Sequence, residues 1–297
     1  MINIAIEQGE DRRDTIRQAV EQLGDEFIER CRNANQIFIK VNLVDHERYF
    51  ACTHIDAVRG LIDVIRERSN TSILIGDAGY RGTKAAFSNF GYDHLGGEYS
   101  DITLVDLNDD EFVDGYTIKS DGSQNPIRRS KIATSPGFKI SLSPMKTDAK
   151  TGASLTVQNW AIGTWIVPPR ISASGQVWAR WPWLDSEGEV AHHQSIAELF
   201  NQQKCHLGIV DGIMAMEGDG PVRGTRIDMG VVLAGFDPVA VDSAAATLMG
   251  IDPLGIGYLK ACHEMGVGVA DMTRINVPPM QMAQLRREFK RNIKSEI

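Results

Sequence analysis

Two lysines stand where apolar runs turn polar. Lys40 closes Gln36-Ile37-Phe38-Ile39, and Lys146 follows Phe138-Lys139-Ile140-Ser141-Leu142 through Ser143-Pro144-Met145. A lysine in such a place snorkels its ammonium to solvent, holds an anion or, when desolvated, acts as a base. With the amides of Asn42 and Asn159, two lysines at neighbouring strand ends would cradle a carboxylate or phosphate. Asp211 ends a third apolar run, Leu207 to Val210. Behind it comes Gly218-Asp219-Gly220-Pro221-Val222-Arg223-Gly224, with Glu217 just before. Glycines let a backbone approach a ligand, so this stretch reads either as a site loop or as a Gly-Pro turn between strands.

Other candidates are weaker. His192 and His193 open a helix side by side, so their side chains diverge by about 100° and cannot both face one site. The positive end of the helix dipole favours neutral imidazole there, suited to a base or a metal ligand. Asp237 precedes Pro238 and reads as a helix N-cap. Asp242, inside the apolar helix that follows, needs a partner: a lysine, an arginine or a backbone amide. No phosphate-binding G-x-x-x-x-G-K-[ST] and no G-x-S-x-G elbow is present.

The elements that must position these residues alternate as strands and helices. Strands are expected at 36–39, 72–75, 102–105, 138–142, 207–210 and 231–234. Helices are expected from Asp11 to Cys31, from a Thr53 cap to about Glu67, at 83–95, from His192 to about Gln203, and after Asp237 and Asp252. That alternation implies an α/β fold, a mostly parallel sheet flanked by helices in Rossmann-like layers. Parallel strands would bring their polar C-terminal ends to one rim, where ligands bind in open α/β sheets. The 297 residues make one α/β domain or two closely packed lobes. The segment from Trp160 to Trp183 holds all five tryptophans with Arg170 and Arg180 and fits no period. Residues 160–190 therefore read as a Trp-rich insertion: a lid, a satellite core, or an interface for a homodimer or another protein.

Bulk properties exclude some partners. A net charge of -8 argues against nucleic acid and anionic membrane surfaces. The absence of a long apolar run argues against a spanning helix, and the N-terminus does not resemble a signal peptide. A cytoplasmic location is the expectation. Cys31, Cys52, Cys205 and Cys262 are scattered, so no iron–sulfur cluster is expected. A divalent metal remains possible, with His193, Asp211, Glu217, Asp219 and Asp148 as nitrogen and oxygen donors, although the two lysines would repel it.

Taken in order, these motifs resemble a known family, the "domain of unknown function 362". The resemblance rests on Lys40-Val41-Asn42-Leu43, Lys146-Thr147, Gln158-Asn159-Trp160-Ala161-Ile162-Gly163, His193, Val210-Asp211-Gly212, Gly218-Asp219-Gly220-Pro221 with Gly224, and Asp237-Pro238-Val239-Ala240-Val241-Asp242. It runs from about residue 36 to residue 270. Membership implies no reaction. Many members carry a ferredoxin-like iron–sulfur module, whose cysteine spacing this sequence lacks. Where the family usually continues Lys-Thr-His, this chain has Lys146-Thr147-Asp148, which removes a metal-ligating imidazole or replaces it with a carboxylate. The expectation is an enzyme acting on a small anionic metabolite by acid–base chemistry. His193, Asp211 and Lys146 would be catalytic, and Lys40, Asn42, Asn159, Gly218, Asp219, Gly220 and Arg180 would bind substrate. The alternative is a redox or metal-cofactor accessory protein that docks an iron–sulfur partner.

Overall fold

The computed structural model describes residues 1–173 and 175–292. Strand β1 (Ala5–Gln8) leads to helices α1 (Arg12–Glu21) and α2 (Gly24–Asn33). Strand β2 (Ile37–Lys40), helix α3 (Ile55–Arg68), strand β3 (Ile73–Asp77), helix α4 (Thr83–Asn89) and strand β4 (Ile102–Asp106) alternate. An antiparallel hairpin of β5 (Phe112–Ile118) and β6 (Gln124–Ser130) follows. Then come β7 (Phe138–Asp148), α5 (Thr156–Gly163), α6 (Gly188–Gln202), β8 (Leu207–Glu217), β9 (Val231–Gly235), α7 (Pro238–Leu248) and α8 (Gly257–Glu264).

The main sheet runs β1-β9-β8-β7-β2-β3-β4, with short antiparallel strands Gly152–Ser154 beside β7 and Thr225–Ile227 beside β8. Of the seven, all but β9 point the same way. Both faces are covered, so the central strands read as continuous apolar runs rather than alternating ones. On one face Ile16, Phe27, Leu61 and Phe87, from α1 to α4, pack on Ile37, Ile39, Ile140 and Ile209. On the other, Trp160, Phe200, Val241 and Leu259, from α5 to α8, pack on Phe38, Val210 and Leu233. Burying each such side chain contributes roughly 1.5–3 kcal/mol.

From β2 the chain winds outward through β3 and β4 with its crossovers on the first face. It returns to β7 on the other side of β2 and crosses to β8 over the second face. The strand order reverses between β2 and β7, and a crevice opens at their C-terminal ends, as such reversals require.

Four expectations are corrected. The helix expected from Asp11 to Cys31 is two helices, broken at Gly24, whose φ of 65° suits glycine. Thr53 does not cap α3; His54 does, accepting from Asp56 N, while the Thr53 hydroxyl accepts from Asn42 N and donates to Leu142 O. Strand β9 is antiparallel to both neighbours, so Asp237 lies on the rim opposite Lys40. The tryptophan segment is ordered rather than periodless. It contains the second half of α5, the strand Trp165–Ile166 paired to β6, a hairpin of Arg170–Ser172 with Gly175–Val177, and the short helix Trp181–Asp185. The Asp237-Pro238 cap is as read, with the Asp237 carboxylate accepting from Val239 N and Ala240 N.

Candidate functional site

Lys40 ends β2, in register with Gly76 of β3 and Ser141 of β7. Its fully buried Nζ lies 2.7 Å from Asp77 Oδ1 and donates to Asn159 Oδ1 at 2.5 Å and Val41 O at 2.7 Å. Asp77 closes the adjacent β3, and its other oxygen accepts from Leu43 N at 2.6 Å. Burial lowers the Lys40 pKa, and the Asp77 charge opposes that shift. Helix α5 ends against this pair. A Cβ at Gly163 would come within 2.2 Å of Lys40 Nζ and 2.8 Å of Asp77 Oδ1, so only glycine fits.

Lys146 enters from the far end of β7. Its Nζ donates to Asn42 Oδ1 and to Ala51 O, each at 2.8 Å. The Asn42 amide donates to Asn159 Oδ1 at 3.2 Å, and the Asn159 amide donates to Ser141 Oγ at 3.0 Å. Lys40, Asn42, Lys146 and Asn159 thus form one hydrogen-bonded group. Burial drops the Lys146 pKa to about 8. Arg180 is buried at the same crevice, donating to Trp165 O, Trp178 O and Asn108 Oδ1, all neutral acceptors. Burial lowers it to about 10, so it stays charged at neutral pH. The crevice is narrow, with a cavity volume of about 60 Å³, and opens to solvent. Asn42, Asp77, Lys146, Asn159 and Arg180 line it, with Ile162, Trp178, Trp181 and Pro221.

The remaining candidates lie elsewhere. Asp211 is paired in register with Pro144, and alternation along β8 sends its side chain to the first face with Ile209 and Ile213. There Arg12 Nε lies 2.8 Å from its carboxylate. His193 packs on Gly257 and stacks on Tyr258 in the groove between α6 and α8, outside the crevice lining. Burial lowers its pKa. Its neighbour His192 is the one that meets the tryptophan segment, 5.4 Å from the Trp181 ring, with its pKa dropped to about 4 by burial. From the Gly218–Gly224 loop only Pro221 lines the crevice. Gly218 holds a φ of 81° and its N–H donates to Lys290 O; Gly220 presses on Thr147, whose carbonyl would lie 2.0 Å from a Cβ; Asp219 is exposed.

The five possible metal donors are likewise apart. Asp148 closes its own turn, accepting from Lys150 N, Thr151 N and Gln158 Nε2. Glu217 accepts from Lys290 N. Among the described residues no group of three or more His, Cys, Asp or Glu side chains gathers to hold a metal. Asp242 finds backbone partners rather than a cation: Thr156 N, the Thr156 hydroxyl and Val157 N donate to it at 2.9, 2.5 and 2.8 Å, capping α5. Asp77 was missed as a site residue, although a strand-end acid after Gly76 next to a strand-end lysine was a visible signal.

A family profile described as "Domain of unknown function (DUF362)" matches residues 37–247, and the chain belongs to that family. It is similar to the thylakoid-associated protein sll1697 of Synechocystis sp., 24% identical over 237 residues, covering 78% of this chain and 68% of that protein. Among solved structures it is similar to the lactate racemase apoprotein of Thermoanaerobacterium thermosaccharolyticum, with a TM-score of 0.51 and 13% identity. That match covers 88% of this chain and 56% of the racemase chain, so this chain spans little more than half its length, and the likeness is one of fold. No helix among the described residues is long and apolar enough to cross a membrane.

Proposed function

Taking membership of this family as the starting point, we propose that the chain is a cytoplasmic enzyme that binds a small anionic metabolite in the crevice and moves a proton on it. The observation that carries this reading is the state of two cations. Lys146 and Arg180 line one crevice, both are buried, and both bond only neutral oxygens. The one lining carboxylate, Asp77, is taken by Lys40. A carboxylate or phosphate group supplies the missing charge. Ile162, Trp178 and Trp181 offer apolar contact to the rest of the molecule.

In this scheme Arg180, which stays charged, pairs with the anionic group, and Lys146 in the same crevice is the base. With a pKa of about 8, roughly a tenth of it is neutral at pH 7. The neutral amine takes a proton from a carbon or hydroxyl beside the bound anionic group. The resulting ammonium donates to Asn42 Oδ1 and Ala51 O and returns the proton to a second position, an isomerisation, or to a leaving group, an elimination. His193 and Asp211 take no part, since neither lines the crevice. The accessory-protein reading is favoured by a different observation: Ile171, Trp183 and Val190 are exposed near the tryptophan segment.

The test is deuterium wash-in. Small carboxylates and phosphate monoesters are incubated with the protein in D2O and followed by NMR. Wild type should label at least one compound, and Lys146→Met should lose about 100-fold or more of that rate. Equal labelling by both, or labelling by neither, overturns the proposal.

A further inference from the structure

A second pair of buried cations lies at the other end of β7. Lys139 is the second residue of that strand, on the same face as Ser141. Arg129 sits on β6, between Val113 of β5 and Trp165. Arg129 is 2% and Lys139 4% exposed. Neither has an acidic partner among the described residues, and the Arg129 charge adds to the effect of burial in lowering Lys139. The acids of adjoining elements are committed elsewhere. Asp110 accepts from Ser130 Oγ and Ile132 N, and Glu198 accepts from the Tyr116 hydroxyl.

The orientation of Arg129 is informative. Its Nε and Nη2 are buried and have no hydrogen-bond partner among the described residues. These two N–H groups form one edge of the guanidinium fork, the edge that grips a carboxylate or phosphate with two parallel bonds. Two other arginines fill that edge with acids of this chain. Arg13 binds Asp63 through Nε and Nη2 at 2.6 and 2.9 Å, and Arg59 binds Glu98 the same way at 2.8 and 2.6 Å. Arg129 has the same edge and no carboxylate of this chain on it. An uncompensated buried charge is costly, and a like charge beside it adds to that cost.

The geometry points to a second anion site: Arg129 binds a small oxyanion through its Nε–Nη2 edge, and Lys139 contributes the second positive charge. The site is separate from the crevice. Lys139 and Lys146 stand seven residues apart on one strand, about 23 Å along it. They lie at opposite rims of the sheet.

The experiment is thermal unfolding of the full chain in inorganic phosphate, malonate or chloride at equal ionic strength. Phosphate and malonate distinguish the two kinds of oxyanion. At least one should raise the melting temperature above the chloride control, and should still do so in Lys146→Met, which removes one of the two unanswered crevice cations. The shift that remains in Lys146→Met should vanish when Arg129→Met or Lys139→Met is added. Arg129→Lys keeps the charge and loses the fork, so the anion concentration for half the shift should rise at least tenfold; that variant decides the matter if Arg129→Met does not fold. Three results would overturn the assignment: no shift in wild type, a shift lost in Lys146→Met, or, in the Lys146→Met background, a shift retained with Arg129→Met or unweakened with Arg129→Lys.

Discussion

On the first face of the sheet, Asp211 is buried with Arg12 2.8 Å away, and the two charges answer each other. In the crevice at the C-terminal rim, Lys146 and Arg180 are buried among carbonyl and amide oxygens, with no acid in ion-pair contact among the described residues. The same kinds of residue, at similar depth, are used in two ways. A matched pair holds elements together, here α1 on β8. A buried cation with only neutral acceptors is held in place with its charge unanswered, and that charge is what a ligand can use. Burial alone does not mark a functional residue; the identity of the partner does.

Two substitutions test that contrast. The largest effect should come from Asp211→Ala, which strands Arg12 in a nearly closed site and should cost on the order of 3–5 kcal/mol. Lys146→Met removes a buried charge and its desolvation penalty, and it should change stability by no more than about 1 kcal/mol. Urea unfolding of both variants decides; equal losses would break the distinction.

Asp242 sharpens the comparison, because it is an acid on the second face answered by amides instead of a cation. Burial lifts its pKa to about 7. The folded state therefore holds this proton over a window in which the unfolded chain has released it. Stability should fall as pH rises from about 4 to about 7, with a slope on the order of 1 kcal/mol per pH unit from this group. Asp242→Asn should flatten the slope in that window. An unchanged pH profile would mean that the three donated hydrogen bonds compensate the burial in full.

The smallest effect belongs to Asp219, exposed in the Gly218–Gly224 loop. Asp219→Ala should shift the unfolding free energy by less than about 0.5 kcal/mol. A larger change would show that an exposed acid can matter without a matched partner, contrary to the pattern in both regions.

Much of the architecture was legible because apolar runs mark strands, although β7 and β8 continue to Asp148 and Glu217, past the expected ends at 142 and 210. That logic brings Lys40, Asn42, Lys146 and Asn159 into one hydrogen-bonded group. What failed to be legible has a common cause. Strands buried on both faces carry no alternation, so nothing in Leu207–Glu217 says which way Asp211 points. The run Val231–Ala234 reads the same in either direction, which hid the antiparallel course of β9. Whether His192 or His193 meets the tryptophans depends on the rotation of α6 about its axis, set by distant packing on Tyr258 and Trp181. The five tryptophans looked like one feature and are several: Trp160 sits in the core against Phe38, Trp165 lies in a strand, Trp178 and Trp181 line the crevice, and Trp183 is at the surface.

Helix α5 works as a gauge block. Its head is clamped by the Asp242 carboxylate, and its last residue, Gly163, rests on Lys40 and accepts from Ala78 N through its carbonyl. Eight residues span about 12 Å, and that length sets where Asn159 meets both Lys40 and Asn42. A single inserted residue between Asn159 and Gly163 would turn everything beyond it by about 100°, swinging a side chain into the space beside Lys40 and Asp77 that glycine leaves open. With residues 156–161 all buried, this part of the chain is as constrained in length as in composition.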